Sequence, residues 1–192
     1  MQKPKLILIG GANGSGKTTL ARRFVELEKL QYLGADEIAR ELNPAQPESV
    51  AIAAAREFSR RLDAAIEKGE SLIVEATLSG KSLRHSLAQA RQRKYELTVA
   101  FVFLDSAELC LERIAVRVAK GGHAVPEEDV RRRFARANQN FWHTYRQLAD
   151  HWYLFYNAGD AIRQVAGSES QRETVIDNER YTQWLTMVTT TH

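Results

Sequence analysis

Gly11-Ala12-Asn13-Gly14-Ser15-Gly16-Lys17-Thr18 follows, after Gly10, on the apolar run Leu6-Ile7-Leu8-Ile9. The spacing is G-x-x-x-x-G-K-[ST], that of a phosphate-binding loop. The run in front reads as a buried strand. The glycines let the backbone curl so that successive N–H groups point at phosphate oxygens. The helix that follows, Thr18 to about Leu30, aims its positive dipole end at the same place. Gly11 to Thr19 are therefore the expected nucleotide-binding residues: Gly11, Ala12, Asn13, Gly14, Ser15, Gly16, Lys17, Thr18 and Thr19. Lys17 would reach the β/γ-phosphates, and the Thr18 hydroxyl would bind Mg²⁺.

Outward from the loop, strands and helices alternate. Gln31-Tyr32-Leu33 reads as a short strand ending at Gly34-Ala35-Asp36-Glu37. A long helix is expected from about Pro47 to Lys68, with Gly69 as its C-terminal cap. Ser71 to Ala76 is a buried strand, Leu97 to Leu104 a central one, and His151 to Tyr156 the last. Between them lie helices over about Lys81–Lys94, Ala107–Ala119 and Glu127–Asp150, the last kinked near Asn138-Gln139-Asn140. Ser168-Glu169-Ser170 reads as a flexible break, and Glu173 to Val188 as a terminal helix. This alternation predicts an α/β fold: a parallel sheet of about five strands with helices on both faces. We expect one P-loop domain over 1–165, with a small arginine-bearing lid at about 119–135 and a helical C-terminal extension over 166–192.

Composition fits this. The chain has 192 residues, 44% hydrophobic and 27% charged, enough for one packed core. No stretch approaches the roughly 20 apolar residues of a membrane span. Met1-Gln2-Lys3-Pro4 runs straight into the first strand, leaving no room for a signal peptide. Cys110 is the single cysteine, which excludes an internal disulfide and suits a reducing cytoplasm, the expected location. It falls on an apolar helical stripe and is expected to be buried and inert. The net charge of +3 is weak support for nucleic-acid binding, so neither a polynucleotide nor a membrane is the expected partner.

In a parallel sheet ligands bind at the C-terminal ends of the strands. That rule selects Asp36 and Glu37 after the second strand, and Glu75 and Thr77 after the third. Asp36, 19 residues beyond Lys17, suits a general base toward an attacking hydroxyl, and it could equally cap a helix. Glu37 reads as a solvated first-turn carboxylate that would take the same role if the turn were shifted by one. Glu75 ends a buried strand, where a carboxylate needs a partner: an acceptor substrate, Mg²⁺ through water, or an arginine. Thr77 would bond the substrate or simply form the turn. Arg113, Arg117 and the run Arg131-Arg132-Arg133 flank Gly121-Gly122 in a helix–hinge–helix pattern that suits a closing lid. Arg117 and one of Arg132 or Arg133, Arg132 foremost, are the expected transition-state cations. His123 would order the lid loop or meet the substrate's edge. Trp142, Trp152 and Trp184 read as packing residues. Asn157-Ala158-Gly159, after the last strand, stands where adenine would be met, so Asn157 joins the nucleotide-binding set.

Several of these stretches together resemble the zeta toxin family, in particular its chromosomal branch of small ATPases. They are Gly11–Thr19, Ala35-Asp36-Glu37-Ile38-Ala39, Asn43-Pro44, Glu75-Ala76-Thr77-Leu78-Ser79-Gly80, Arg113 to Val118, Gly121-Gly122-His123-Ala124-Val125-Pro126 and Arg131-Arg132-Arg133-Phe134. The resemblance implies a P-loop kinase fold. It implies ATP-dependent phosphorylation of the sugar 3′-hydroxyl of UDP-N-acetylglucosamine, and a toxin paired with an antitoxin protein. It implies Lys17 and Thr18 for ATP and Mg²⁺, Asp36 as catalytic base, Glu75 and Thr77 for substrate, and Arg117 with an arginine of 131–133 as phosphate clamp. The chain is shorter than the plasmid toxins, and its Gly121–Pro126 segment differs from theirs. Two other readings remain open from the residues: a nucleic-acid end kinase using the basic run, and a non-catalytic ATP-binding interaction module.

Overall fold

The computed structural model describes residues 3–122, 124–169 and 172–189. In chain order the elements are β1 (Lys5–Gly10), α1 (Lys17–Glu28), β2 (Gln31–Gly34), α2 (Ala35–Leu42), a 3-10 turn (Pro47–Val50) and α3 (Ala51–Lys68). Then come β3 (Leu72–Ala76), α4 (Leu83–Gln92), β4 (Glu96–Phe103), α5 (Ala107–Ala119) and α6 (Glu127–Asn140). A π turn (Phe141–Tyr145) and a last helical turn, α7 (Arg146–Leu148), lead to β5 (His151–Asn157). β6 (Ile162–Glu169), β7 (Arg172–Val175) and α8 (Asn178–Thr189) complete the described chain.

The sheet order is β2-β3-β1-β4-β5-β6-β7. The first five strands are parallel, and β6 and β7 add antiparallel to β5. The parallel sheet of about five strands is as expected, and two antiparallel strands extend it to seven among the described residues. The break expected at Ser168-Glu169-Ser170 is corrected for its first two residues, which lie in β6; Ser170 is outside the described residues. The 166–192 segment is not uniformly helical. Glu173 to Val175 pair in β7, and α8 starts only at Asn178, where Asp177 Oδ1 accepts from the Arg180 N–H at 3.0 Å.

Period-two alternation assigns the sheet's two faces. Leu6, Leu8, Leu72, Val74, Phe101 and Phe103 point into the larger core, against α2, α3, α4, α6 and α8. Ile7, Ile9, Ile73, Ala100 and Val102 point to the other face, where Leu20 and Ala21 of α1 cover them. The tryptophans pack, as expected from their sequence. Trp184 is fully buried, with Phe141 at 5.7 Å and Trp142 at 5.2 Å between ring centroids. No helix among the described residues is long and apolar enough to cross a membrane.

One consequence of register governs the site. β3 lies between β1 and β2, so Glu75 has Ile9 on one side and Gly34 on the other. The ends of β1, β2 and β3 therefore open on one crevice.

Candidate active site at the ends of β1, β2 and β3

The phosphate loop is the crevice's floor. Gly11, Gly14 and Gly16 all have positive φ, at 150°, 80° and 103°, and Gly16 is the N-cap of α1. A small apolar cluster, Ala12, Leu104, Cys110, Ile114 and Val130, backs the loop. Cys110 is fully buried, and burial pushes its thiol up to about 11. Lys17 is 9% exposed, and its ammonium donates to the Ala12 carbonyl at 2.8 Å. Burial lowers its proton affinity, while the charges of Glu75 and Asp36 act in the opposite sense.

The loop fits a phosphate by an observation of its own. Ser15 Oγ is buried and has no hydrogen-bond partner among the described residues, although its residue is only 1% exposed. A buried hydroxyl without a partner is costly, and an anion's oxygen cradled by the loop would supply one. The Thr18 hydroxyl donates to Glu75 Oε1 at 3.0 Å. A hydroxyl and a carboxylate side by side are hard oxygen donors of the kind Mg²⁺ takes, in small number, beside phosphate oxygens and water.

Glu75 is half-buried and held from two sides. Besides Thr18, the Tyr32 hydroxyl donates to Oε2 at 2.7 Å. Burial, first, and then the Glu75 charge push the Tyr32 phenol well above its ordinary range, so it stays a donor. The arginine partner considered for Glu75 is not what the structure shows: Thr18 and Tyr32 fill that role. Tyr32 was missed from sequence, yet a signal was present. Tyr32 and Gly34 share a face of β2 at i and i+2, and a Cβ on Gly34 would sit 2.4 Å from the Tyr32 hydroxyl. The absent side chain is what lets the phenol cross to β3.

Asp36 and Glu37 are exposed in the first turn of α2. Asp36 does not cap the helix, because the N-cap is Gly34. Its carboxylate makes no hydrogen bond or salt bridge among the described residues, and its charge is felt at Lys17 and Tyr32. Thr77 Oγ1 lies 3.0 Å from Ser79 Oγ, and Thr19 is exposed on α1.

The lid arginines divide. Arg131 pairs with Glu108 and Glu127, and Arg132 with Asp129. Arg133 Nη2 also meets Asp129, at 3.3 Å, while its Nη1 donates to Asn13 Oδ1 of the phosphate loop at 3.4 Å. Successive residues on a helix point about 100° apart, and of Arg132 and Arg133 it is Arg133 whose side chain reaches the loop. The Arg117 charge reaches Lys17, and the Gly122 N–H donates to the Arg117 carbonyl at 2.9 Å, turning the chain back at the hinge. His123 lies outside the described residues.

Asn157, at the end of β5, braces the phosphate loop. Its amide nitrogen donates to the Ser15 carbonyl at 2.9 Å, and its oxygen accepts from the Gly159 N–H at 3.1 Å. Both ends of the amide are thus engaged, one of them on the phosphate loop. Arg113 Nη2 donates to the Asn157 carbonyl at 3.2 Å and closes that side. A cavity of about 710 Å³ opens at the opposite, N-terminal ends of the strands, lined by Lys3, Arg91, Tyr95 and His151 among others. It is an open surface hollow remote from the loop and has no part in this site.

Known proteins share this fold. A protein of Haemophilus influenzae, described only as uncharacterized, is 32% identical over 130 residues, covering 68% of this chain and 92% of that one. Among solved structures, a chain of the AvrRxo1-ORF1:-ORF2 complex with ATP superposes with a TM-score of 0.71 at 18% identity over 94% of this chain. This chain spans 63% of the length of that one. A chain from the PezAT chromosomal toxin-antitoxin system of Streptococcus pneumoniae gives a TM-score of 0.64 at 16% identity, covering 93% of this chain and 77% of that one. At such identities the two structures show a common fold. The sequence itself matches the AAA domain family AAA_33 over residues 6–141, from β1 into the π turn, and so the chain belongs to that family.

Proposed function

We propose that the chain is an ATP-dependent kinase that transfers the γ-phosphate to a hydroxyl of a nucleotide sugar such as UDP-N-acetylglucosamine, in the manner of the zeta toxins it resembles. The observation that carries this reading is the Thr18–Glu75 hydrogen bond. It joins the start of the phosphate-loop helix to the end of β3 in one crevice, where the exposed Asp36 carboxylate has no hydrogen-bond partner among the described residues.

In this reading the loop N–H groups, the start of α1 and Lys17 hold the phosphates. Thr18, with Glu75 behind it, would hold Mg²⁺; when bound, the ion neutralises charge on the β- and γ-phosphates. Thr77, beside Ser79, and the remaining lone pairs of Glu75 orient the acceptor. Asp36 takes the proton of the attacking hydroxyl as its oxygen bonds to the γ-phosphorus. The bond from that phosphorus to the β–γ bridging oxygen breaks, and ADP leaves. Arg117 and Arg133 balance the charge from the lid. The work is positioning and electrostatics more than covalent chemistry.

The basic run gives the polynucleotide reading little support, because Arg131 and Arg132 are neutralised by Glu108, Glu127 and Asp129. We also propose a cytoplasmic location and an antitoxin-type partner protein; of the structures that share its fold, one is in an ORF1:ORF2 complex and another comes from a toxin-antitoxin system. The test is an acceptor screen with ATP and Mg²⁺ against nucleotide sugars and 5′-hydroxyl RNA ends, read by mass spectrometry. One added phosphate on a nucleotide sugar is expected. Labelling of RNA ends alone would assign an end kinase, and no transfer to any acceptor, with tight partner binding, an interaction module.

A further inference from the structure

Asn140 and Tyr145 are five residues apart. On an uninterrupted α-helix that spacing turns the chain through about 500° and leaves the two side chains about 140° apart. Between them, however, the chain makes the π turn, closed by the Arg146 N–H to the Phe141 carbonyl. Hydrogen bonds from i to i+5 stack residues five apart, so Asn140 and Tyr145 come to one side. Both reach the same loop. Asn140 Nδ2 donates to the Leu78 carbonyl at 2.8 Å, and the Tyr145 hydroxyl donates to the Gly80 carbonyl at 2.7 Å.

That loop runs from the end of β3 through Thr77. Leu78 within it has φ +57°, which a large apolar residue rarely adopts. Its side chain is 2% exposed and lies over Gly10, where an added Cβ would sit 2.3 Å from Leu78 Cδ1. The loop is thus held by two carbonyls and one buried side chain. The clamp in turn stands on the core: Tyr145 is buried, and Phe141 stacks on Phe101 at 4.6 Å. Arg133, in the middle of α6, touches Asn13 of the phosphate loop. Nearer the helix's C-terminal end, Asn138 accepts from Trp184 Nε1 at 2.8 Å, anchoring α6 to α8. One helix therefore contacts the phosphate loop from its middle and the loop after β3 from its C-terminal end.

We infer that Asn140 and Tyr145 are positioning residues for the acceptor. Through the carbonyls of Leu78 and Gly80 they set where Thr77 stands, and the π turn is what brings Tyr145 to the same side as Asn140 at the end of α6. The acceptor role of Thr77 rests on the kinase reading above; the clamp itself does not.

Tyr145→Phe deletes one hydroxyl from a buried ring and keeps its shape; Asn140→Ala removes the second donor. The full-length variants are compared with wild type by hydrogen exchange, by ATP affinity, and by steady-state kinetics with UDP-N-acetylglucosamine as the acceptor probe. In Tyr145→Phe, exchange in a peptide spanning 77–82 should rise by about fivefold, the factor one net hydrogen bond carries. Exchange in the phosphate-loop peptide and ATP affinity should stay at wild-type values, and the KM for the acceptor should rise more than kcat falls. Asn140→Ala should act in the same direction. Unchanged exchange over 77–82 would overturn the clamp, as would a loss of ATP affinity in step with it, which marks general loosening. A wild-type chain that leaves UDP-N-acetylglucosamine untouched counts against the kinase reading, and the exchange measurement still decides the clamp.

Discussion

Glu75 shows how much one carboxylate depends on neighbours that are distant in sequence. Its partners are Thr18, 57 residues away, and Tyr32, 43 residues away. Tyr32→Phe removes one of these bonds and should cost about 1 kcal/mol, since the pair is only half-buried, read as a shift in urea midpoint at constant slope. Gly34→Ala, whose Cβ would meet the hydroxyl at 2.4 Å and the ring carbon bearing it at 2.9 Å, should cost less once Tyr32 is already Phe, because the nearer of the two clashes is gone. Full additivity in that cycle would mean the two changes act independently and would contradict the proposed contact. Cys110 gives a pH prediction. Burial raises its thiol from 9.0 to about 11, so the unfolded chain loses this proton first. Its contribution is fully present below about pH 9 and is lost as pH rises toward about 11. At pH 8 a thiol reagent should leave native Cys110 unmodified and label it only on unfolding; rapid labelling of the folded chain would contradict the burial. At this scale the phosphate loop was legible because its chemistry is contiguous. Tyr32, Asn140 and Tyr145 were not, because each acts on a residue brought near only by the sheet. Arg132 was preferred to Arg133 because a run of three arginines does not state which one its helix turns to the loop.

Among the elements, those with strong local signals are where the sequence predicts them: β1, the helix behind the phosphate loop, α3 ending at Gly69, and α5 over Ala107–Ala119. β6 and β7 escaped because their stability is not local. Val165, Ala166, Gly167 and Ser168 are buried, but only antiparallel pairing with β5 and cover from α8 make a strand of residues that read as a small, polar break. The π turn escaped for a similar reason: Phe141, Trp142 and Tyr145 suit a continuing helix, and it is the packing of the aromatic cluster and the two loop carbonyls that select the wider turn. α8 is held to α6 through Trp184, which is fully buried against Phe103, Phe141 and Trp142. Trp184→Ala should therefore cost about 3–5 kcal/mol, measured by denaturant unfolding. A loss below about 1 kcal/mol would show that α8 is a loosely attached appendage.

For the whole molecule, strand order is what turns a motif into a site. With β3 inserted between β1 and β2, the phosphate loop, Asp36 and Glu75 share one end of the sheet, and α6 spans from the loop to the acceptor side. A ligand that binds only the folded state stabilises it by mass action, so ATP with Mg²⁺ at about a hundred times its Kd should stabilise the chain by about 2.7 kcal/mol. Lys17→Ala should lose most of that gain in a thermal melt. The claim at the centre of the account is narrower: that Asp36 deprotonates an acceptor held opposite the phosphate loop. It is tested most directly by the rate of phosphate transfer from ATP to UDP-N-acetylglucosamine in Asp36→Asn beside wild type, with ATP affinity measured on both. The account predicts transfer by the wild type, a fall of about a hundred- to ten-thousand-fold in the variant, and equal ATP affinity; transfer by the variant at the wild-type rate would contradict it.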